Sequence, residues 1–171
     1  SKFKNTSDNP DTTDRSITVK VNDGTSDSNT ATTTIAFTAV NDAPALDLDA
    51  SNDNDSGNTV NYQTSYTENG AGVSIADTDS LITDADDTNM ESATIVLTNA
   101  KTGDELDTSG VAAGFTVTNS GIVAGKITVT LTASDTLANY ESAIEAIKFK
   151  NTSDNPDTTD RSITVKVNDG T

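Results

Sequence analysis

KFKNTSDNPDTTDRSITVKVNDGT occupies residues 2–25 and recurs, letter for letter, at 148–171. Inside it, SITVKVN (16–22 and 162–168) sets Ile, Val and Val on one side of an extended chain, with Thr, Lys and Asn on the other. That two-residue period marks a half-buried strand. The same alternation runs through TTTIAFTAV (32–40), GVSIA (72–76), TIVLTN (94–99), FTVTN (115–119) and KITVTLT (126–132). Clusters of Gly, Asn, Asp and Ser separate these runs, as turns do. Many short strands of this kind predict an all-β fold, a sandwich of two antiparallel sheets. Phe3, Phe37, Phe115 and Phe149 fall at strand positions and are expected in its core.

One stretch breaks the period. SDTLANYESAIEAIKF (134–149) places Leu137, Tyr140, Ile144 and Ile147 at helical spacing, with Asp135 or Thr136 ahead of them as N-cap. The spacing predicts one short helix over about 136–146, covering an open end of the sandwich. DASNDNDSGNT (49–59) reads as a polar loop.

The two copies start 146 residues apart, at 2 and 148, so the chain carries a repeat of that period. Residues 1–43 read as the C-terminal part of one repeat, including its last strands. Residues 41–45 form the inter-repeat linker, and 44–171 the following repeat without its final strand. On this reading Ser1, standing where the repeat has Ile147, is a cut edge.

Composition narrows the function. The formal charge is −17 and the pI about 4.1, which repels nucleic acid and anionic membranes. No apolar run approaches the ~20 residues of a membrane span, so no membrane insertion is expected. Cys, His and Trp are absent. Disulfides and thiolate metal sites are therefore impossible, and the usual catalytic bases and nucleophiles are missing. The expectation is a chain with no enzymatic activity.

The carboxylates gather in turns: VNDAP (40–44), LDLD (46–49), NDND (52–55), TEN (67–69), TDADD (83–87) and VNDG (167–170). Calcium takes six to eight oxygen ligands, which alternating acids and amides in tight turns supply. The competing reading is a solvated turn, because Asp and Asn favour turns through their own local hydrogen bonds.

The order of these motifs carries more. TEN (67–69), DAD (84–86), DRSITVKVNDG (160–170) and, in the repeat's continuation, TTTIAFTAVNDAP (32–44) resemble the cadherin scheme and its bacterial relatives. In particular the unit resembles the calcium-dependent extender repeat of giant RTX adhesins. The resemblance implies an Ig-like (cadherin-like) antiparallel β-sandwich with several calcium ions per repeat. At the junction within this chain it implies Asp14, Asn41 and Asp42 from the preceding side, with Asp84, Asp86 and Asp169 from the following unit. Asp23 is the earlier copy of Asp169. Glu68 and Asp160 would sit at the opposite pole. Ala39 and Ala43 depart from the polar linker pattern, and Ser16 and Ser162 replace a glutamate, which lowers the expected ion number to one or two per junction. Asp47, Asp49, Asp53, Asp55, Asp87 and Glu91 either serve additional ions or are simply solvated.

The expected function is accordingly a spacer (extender) repeat on the bacterial cell surface, a part of cell adhesion and biofilm formation. Calcium at inter-domain junctions would stiffen it, and identical repeats in tandem would be its neighbours. The alternative is a calcium-dependent module that binds carbohydrate or a host surface. The residues add one further expectation. A strand at 31–40 cannot complete its own chain's sandwich, because the short linker to the next domain reaches only ~17 Å. The N-terminal segment of one molecule would then complete another, head to tail. The sequence leaves open which copy of the duplicated 24 residues takes the slot.

Overall fold

The computed structural model describes residues 2–54, 57 and 59–171, so Ser1 and Asp55 lie outside the described residues. Among the described residues the chain is mostly β, with several antiparallel sheets and one short helix. It forms two units, Ser1–Asp42 and Ala43–Thr171.

The first unit holds a two-stranded antiparallel ribbon, β1 (Arg15–Val19) against β2 (Ala31–Ile35), in the register Arg15↔Ile35 through Val19↔Ala31. Its apolar stripe is largely exposed. Ile17, Val19 and Val21 are 41%, 53% and 67% exposed. Phe3 packs edge-on to Phe37 at 6.1 Å, and the Arg15 guanidinium lies 5.3 Å from the Phe37 ring centre. Even so, Phe3 is exposed and Phe37 half-buried, which corrects the expectation that both belong to a core.

In the second unit, β3 (Ala45–Asp47) pairs with β5 (Leu81–Thr83). A three-stranded sheet runs β4 (Val73–Ser74), β10 (Lys148–Asn151), β7 (Asp104–Asp107). A four-stranded sheet runs β11 (Ile163–Asn168), β6 (Asn89–Leu97), β9 (Lys126–Thr136), β8 (Thr116–Val123). Alternation puts Ala93, Ile95 and Leu97 of β6 and Ile127, Val129 and Leu131 of β9 on one buried face. Phe149 of β10 and Leu106 of β7 join the same core cluster, as does Phe115, and Ile163, Val165 and Val167 of β11 pack at its margin.

The helix α1 (Leu137–Glu145) follows β9 without a break, and its N-cap Thr136 accepts a hydrogen bond from the Asn139 N–H at 3.3 Å. Tyr140, Ala143 and Ile144 form its buried side. Two of its acids face the β3–β5 pair: Glu141 accepts from the Ile82 N–H (2.6 Å) and Glu145 from the Ser80 hydroxyl (2.9 Å). The free edge of β5 thus gains a side-chain acceptor.

The β6–β9 ladder slips between Met90 and Ser92. Tyr140 repairs that bulge: its hydroxyl donates to the Ala133 carbonyl (2.6 Å) and accepts from the Ala133 N–H (3.1 Å). The ring stacks edge-on against Phe115 at 4.9 Å. Tyr140→Phe takes this partner from the N–H and carbonyl of the half-buried Ala133 while keeping the ring. Its expected cost is about 1–2 kcal/mol, read from urea unfolding curves.

Asp104 is a buried carboxylate that the motif reading passes over. Arg161 grips it with Nε (2.5 Å) and Nη2 (3.1 Å), the Asn151 amide donates at 2.7 Å, and the Lys101 N–H at 2.8 Å. Gly103, at φ +84°, makes this possible. A Cβ there would stand 2.8 Å from the Asn151 side-chain oxygen, so only glycine fits both the backbone and the space.

Candidate metal centre

β5 ends at Thr83 and delivers TDADD into a tight turn. The Asp84 Oδ1 accepts from the N–H groups of Asp86 (3.0 Å) and Asp87 (2.9 Å), which curls the turn around the carboxylate. The curl places carboxylate oxygens of Asp84, Asp86 and Asp87 within 4.8 Å of one another. Among the described residues, the other oxygen of Asp84 is buried and has no hydrogen-bond donor. Partial burial pushes the Asp84 carboxyl up, but the Asp87 and Asp86 N–H groups outweigh it and hold the pKa below the ordinary value. The charge on Asp169 works in the opposite direction. Asp84 therefore stays ionised, within the field of Asp169.

Asp169 follows β11, where its Oδ1 accepts from the Thr171 N–H at 3.0 Å. Gly170 holds φ +99°, and a Cβ on it would sit 2.7 Å from the Glu91 Cγ. The glycine of VNDG thus lets the turn close against Glu91. The same local geometry recurs in the first unit, where Gly24 also holds φ +99° and donates to Asn22 as Gly170 does to Asn168. There Asp23 accepts from the N–H groups of Ser26 and Thr25, bonds that lower its pKa.

A second group lies at the end of β3. Asp49 is fully buried and collects the N–H groups of Asn54 (2.9 Å) and Asp53 (3.3 Å). Carboxylate oxygens of Asp49, Asp53 and Asp77 lie within 4.8 Å of one another. The Asn54 amide bridges Asp53 and Asp77. Asn52, in the left-handed region at φ +57°, carries a buried side-chain oxygen with no donor among the described residues. Asp77 was not among the expected residues. The signal was present in DTD (77–79), the same alternating acidic pattern.

The remaining residues are placed as follows. Asp47 lies in β3 and accepts from the Asp49 N–H at 3.0 Å. Asp14 is exposed just before β1, and Asn41 and Asp42 close the first unit, also exposed. Glu68 is exposed in the turn at 67–70. Asp160 is exposed before β11, its carbonyl accepting from the Asn99 amide at 2.8 Å. Among the described residues, none of these belongs to a group of three acids.

Both groups suit a hard cation. Two oxygens that each stand about 2.4 Å from one calcium ion are at most about 4.8 Å apart. The donors are all oxygen, and the buried unpaired oxygens of Asp84 and Asn52 have ligand capacity to spare.

Four of the second unit's five aromatic residues are otherwise engaged. Tyr140, Phe115 and Phe149 are buried. Tyr66 stacks edge-on against Phe149 at 5.5 Å, and its hydroxyl donates to the Asn151 carbonyl at 2.9 Å. A cavity of about 330 Å³ is lined by Asp104, Glu105, Leu106, Asn119, Gly121 and Ile127, without an aromatic ring. No protein family, curated protein or solved structure matches the chain.

Proposed function

We propose that this chain is a spacer repeat of a bacterial cell-surface adhesin, an Ig-like (cadherin-like) β-sandwich of the extender type. Calcium stiffens it where consecutive repeats join, and the array projects a distal binding domain away from the cell. The observation that carries this reading is the turn at 84–87: three carboxylates share a span that one calcium ion can bridge, and one buried oxygen has no donor among the described residues. Without metal, the acids gathered at this end of the repeat repel one another. A divalent ion reverses the sign of that interaction. Pro44 adds stiffness by fixing its own φ and restricting Ala43.

The competing reading as a carbohydrate-binding module asks for exposed aromatic faces. The burial of Tyr140, Phe115 and Phe149 favours the spacer instead. Small-angle scattering on a tandem of complete repeats provides the test. The maximum dimension is expected to grow on adding calcium and to fall again with chelator. Equal dimensions in both conditions would remove calcium as the stiffening agent.

A further inference from the structure

β11 is an outermost strand: it pairs with β6 on one side, and among the described residues no strand pairs with the other. Hydrogen bonding shows which main-chain groups that free edge presents. The Thr98 N–H donates to the Ser162 carbonyl at 2.9 Å, with Ile163 opposite Leu97. Alternation therefore aims Ser162, Thr164 and Lys166 at β6, and the N–H and C=O groups of Ile163, Val165 and Val167 outward.

The same sequence in the first unit has its partner on that outward edge. The Val21 carbonyl accepts from the Ser28 N–H at 2.8 Å, and the Val21 N–H donates to the Ser28 hydroxyl at 3.0 Å. Val21 and Val167 are one position of the duplicated stretch. β2 thus lies along the edge of β1 that corresponds to the free edge of β11, and β6 occupies the opposite one.

We propose that β2 of a second copy of this chain pairs with β11 and becomes the fifth strand of its sheet. The observed β1–β2 register supplies the alignment: Thr33 opposite Ile163, Thr32 opposite Thr164 and Ala31 opposite Val165. This pairing is independent of the calcium reading.

Burial decides which copy of the duplicated strand β2 prefers. Beside β1 its apolar residues join a stripe that is largely exposed, and a lone two-stranded ribbon is marginal in water. Beside β11 they meet Ile163, Val165 and Val167, which already pack on the core. Cross-strand partners share a face, so Ile35 and, one alternation on, Phe37 extend that core.

Chain connectivity selects a second copy over the strand's own chain. In this register Ile35 falls opposite Arg161. The chain must then return to Ala45, which pairs with Thr83 beside Asp84, within the field of Asp169 at the other end of β11. An own-chain strand would have to double back along the whole edge and could not continue through Phe37. A donor from another molecule has no such constraint.

The chain contains no cysteine, so a register probe is direct. Single variants Thr32→Cys and Thr164→Cys, unfolded together in urea and refolded in chelator, are expected to form a 32–164 cross-link under mild oxidation. Thr34→Cys in place of Thr32→Cys, two residues out of register, is expected to lose it. In parallel, the mass of the unmodified chain from light scattering should rise with concentration above that of a monomer. Thr33→Pro, which deletes an edge donor in the first unit alone, should return it to monomer and leave the second unit with the melting temperature the unmodified chain shows when dilute and monomeric. A monomer at every concentration, association that survives Thr33→Pro, or equal cross-linking from residue 34 overturns the proposal.

Discussion

Arg161→Ala is expected to destabilise the second unit by about 3–5 kcal/mol, whereas Arg15→Ala changes stability by less than about 1 kcal/mol. The two arginines occupy the same position of the duplicated stretch and make the same local contacts. Each hydrogen-bonds two carbonyls upstream, Thr13 and Asp11 for Arg15, Thr159 and Asp157 for Arg161. What differs is Asp104, whose carboxylate is fully buried and receives the Arg161 fork. Removing that fork leaves a negative charge in the interior with only the Asn151 amide and the Lys101 N–H to hold it. Arg15 has instead Asp11, at 3.6 Å and largely exposed, and the half-buried Phe37 ring at 5.3 Å, and water replaces such partners at little cost. Denaturant unfolding of the two single variants side by side measures the difference. A loss below about 1 kcal/mol for Arg161→Ala would mean the buried carboxylate is protonated or hydrated.

The same duplication shows how far sequence alone could reach. KFKN is a central strand at 148–151, flanked by β4 and β7, and lies outside any strand at 2–5. Nothing in four identical letters distinguishes the two outcomes, since only the presence of flanking strands does. The placement of Phe149 in the core and the misplacement of Phe3 have that one cause. Long alternating runs such as KITVTLT are legible because every second residue repeats the same message. β3 and β5, at three residues each, carry too few alternations to register, and the local pattern of β7, DELD, reads as acid rather than as strand. The helix was legible from one stripe and one cap, both local. Asp84, Asp86 and Asp87 could be read as a group because one turn contains them. Asp77 joins Asp49 and Asp53 from 24 residues further along, and only the fold brings it there.

Calcium at about 100 times its dissociation constant is expected to stabilise the second unit by about 2.7 kcal/mol for each ion bound only to the folded state. With affinities of the extracellular class, ~10⁻⁴ M, that condition is met near 10 mM. A chain of net charge −17 also gains from plain screening, which any salt supplies because the Debye length falls to about 10 Å at 0.1 M. The comparison must therefore be made against sodium chloride at matched ionic strength. Asp84→Asn separates the two effects by the size of its deficit in each condition. Its amide oxygen can still accept from the Asp86 and Asp87 N–H groups, so the turn persists. In chelator the variant should lose a little stability, because those N–H groups favour the charged carboxylate by more than Asp169 opposes it. In calcium the deficit should grow, by up to the increment of the ion it no longer holds. A deficit of the same size in both conditions, or a sodium chloride effect equal to that of calcium, would reduce this acidic turn to a solvated one.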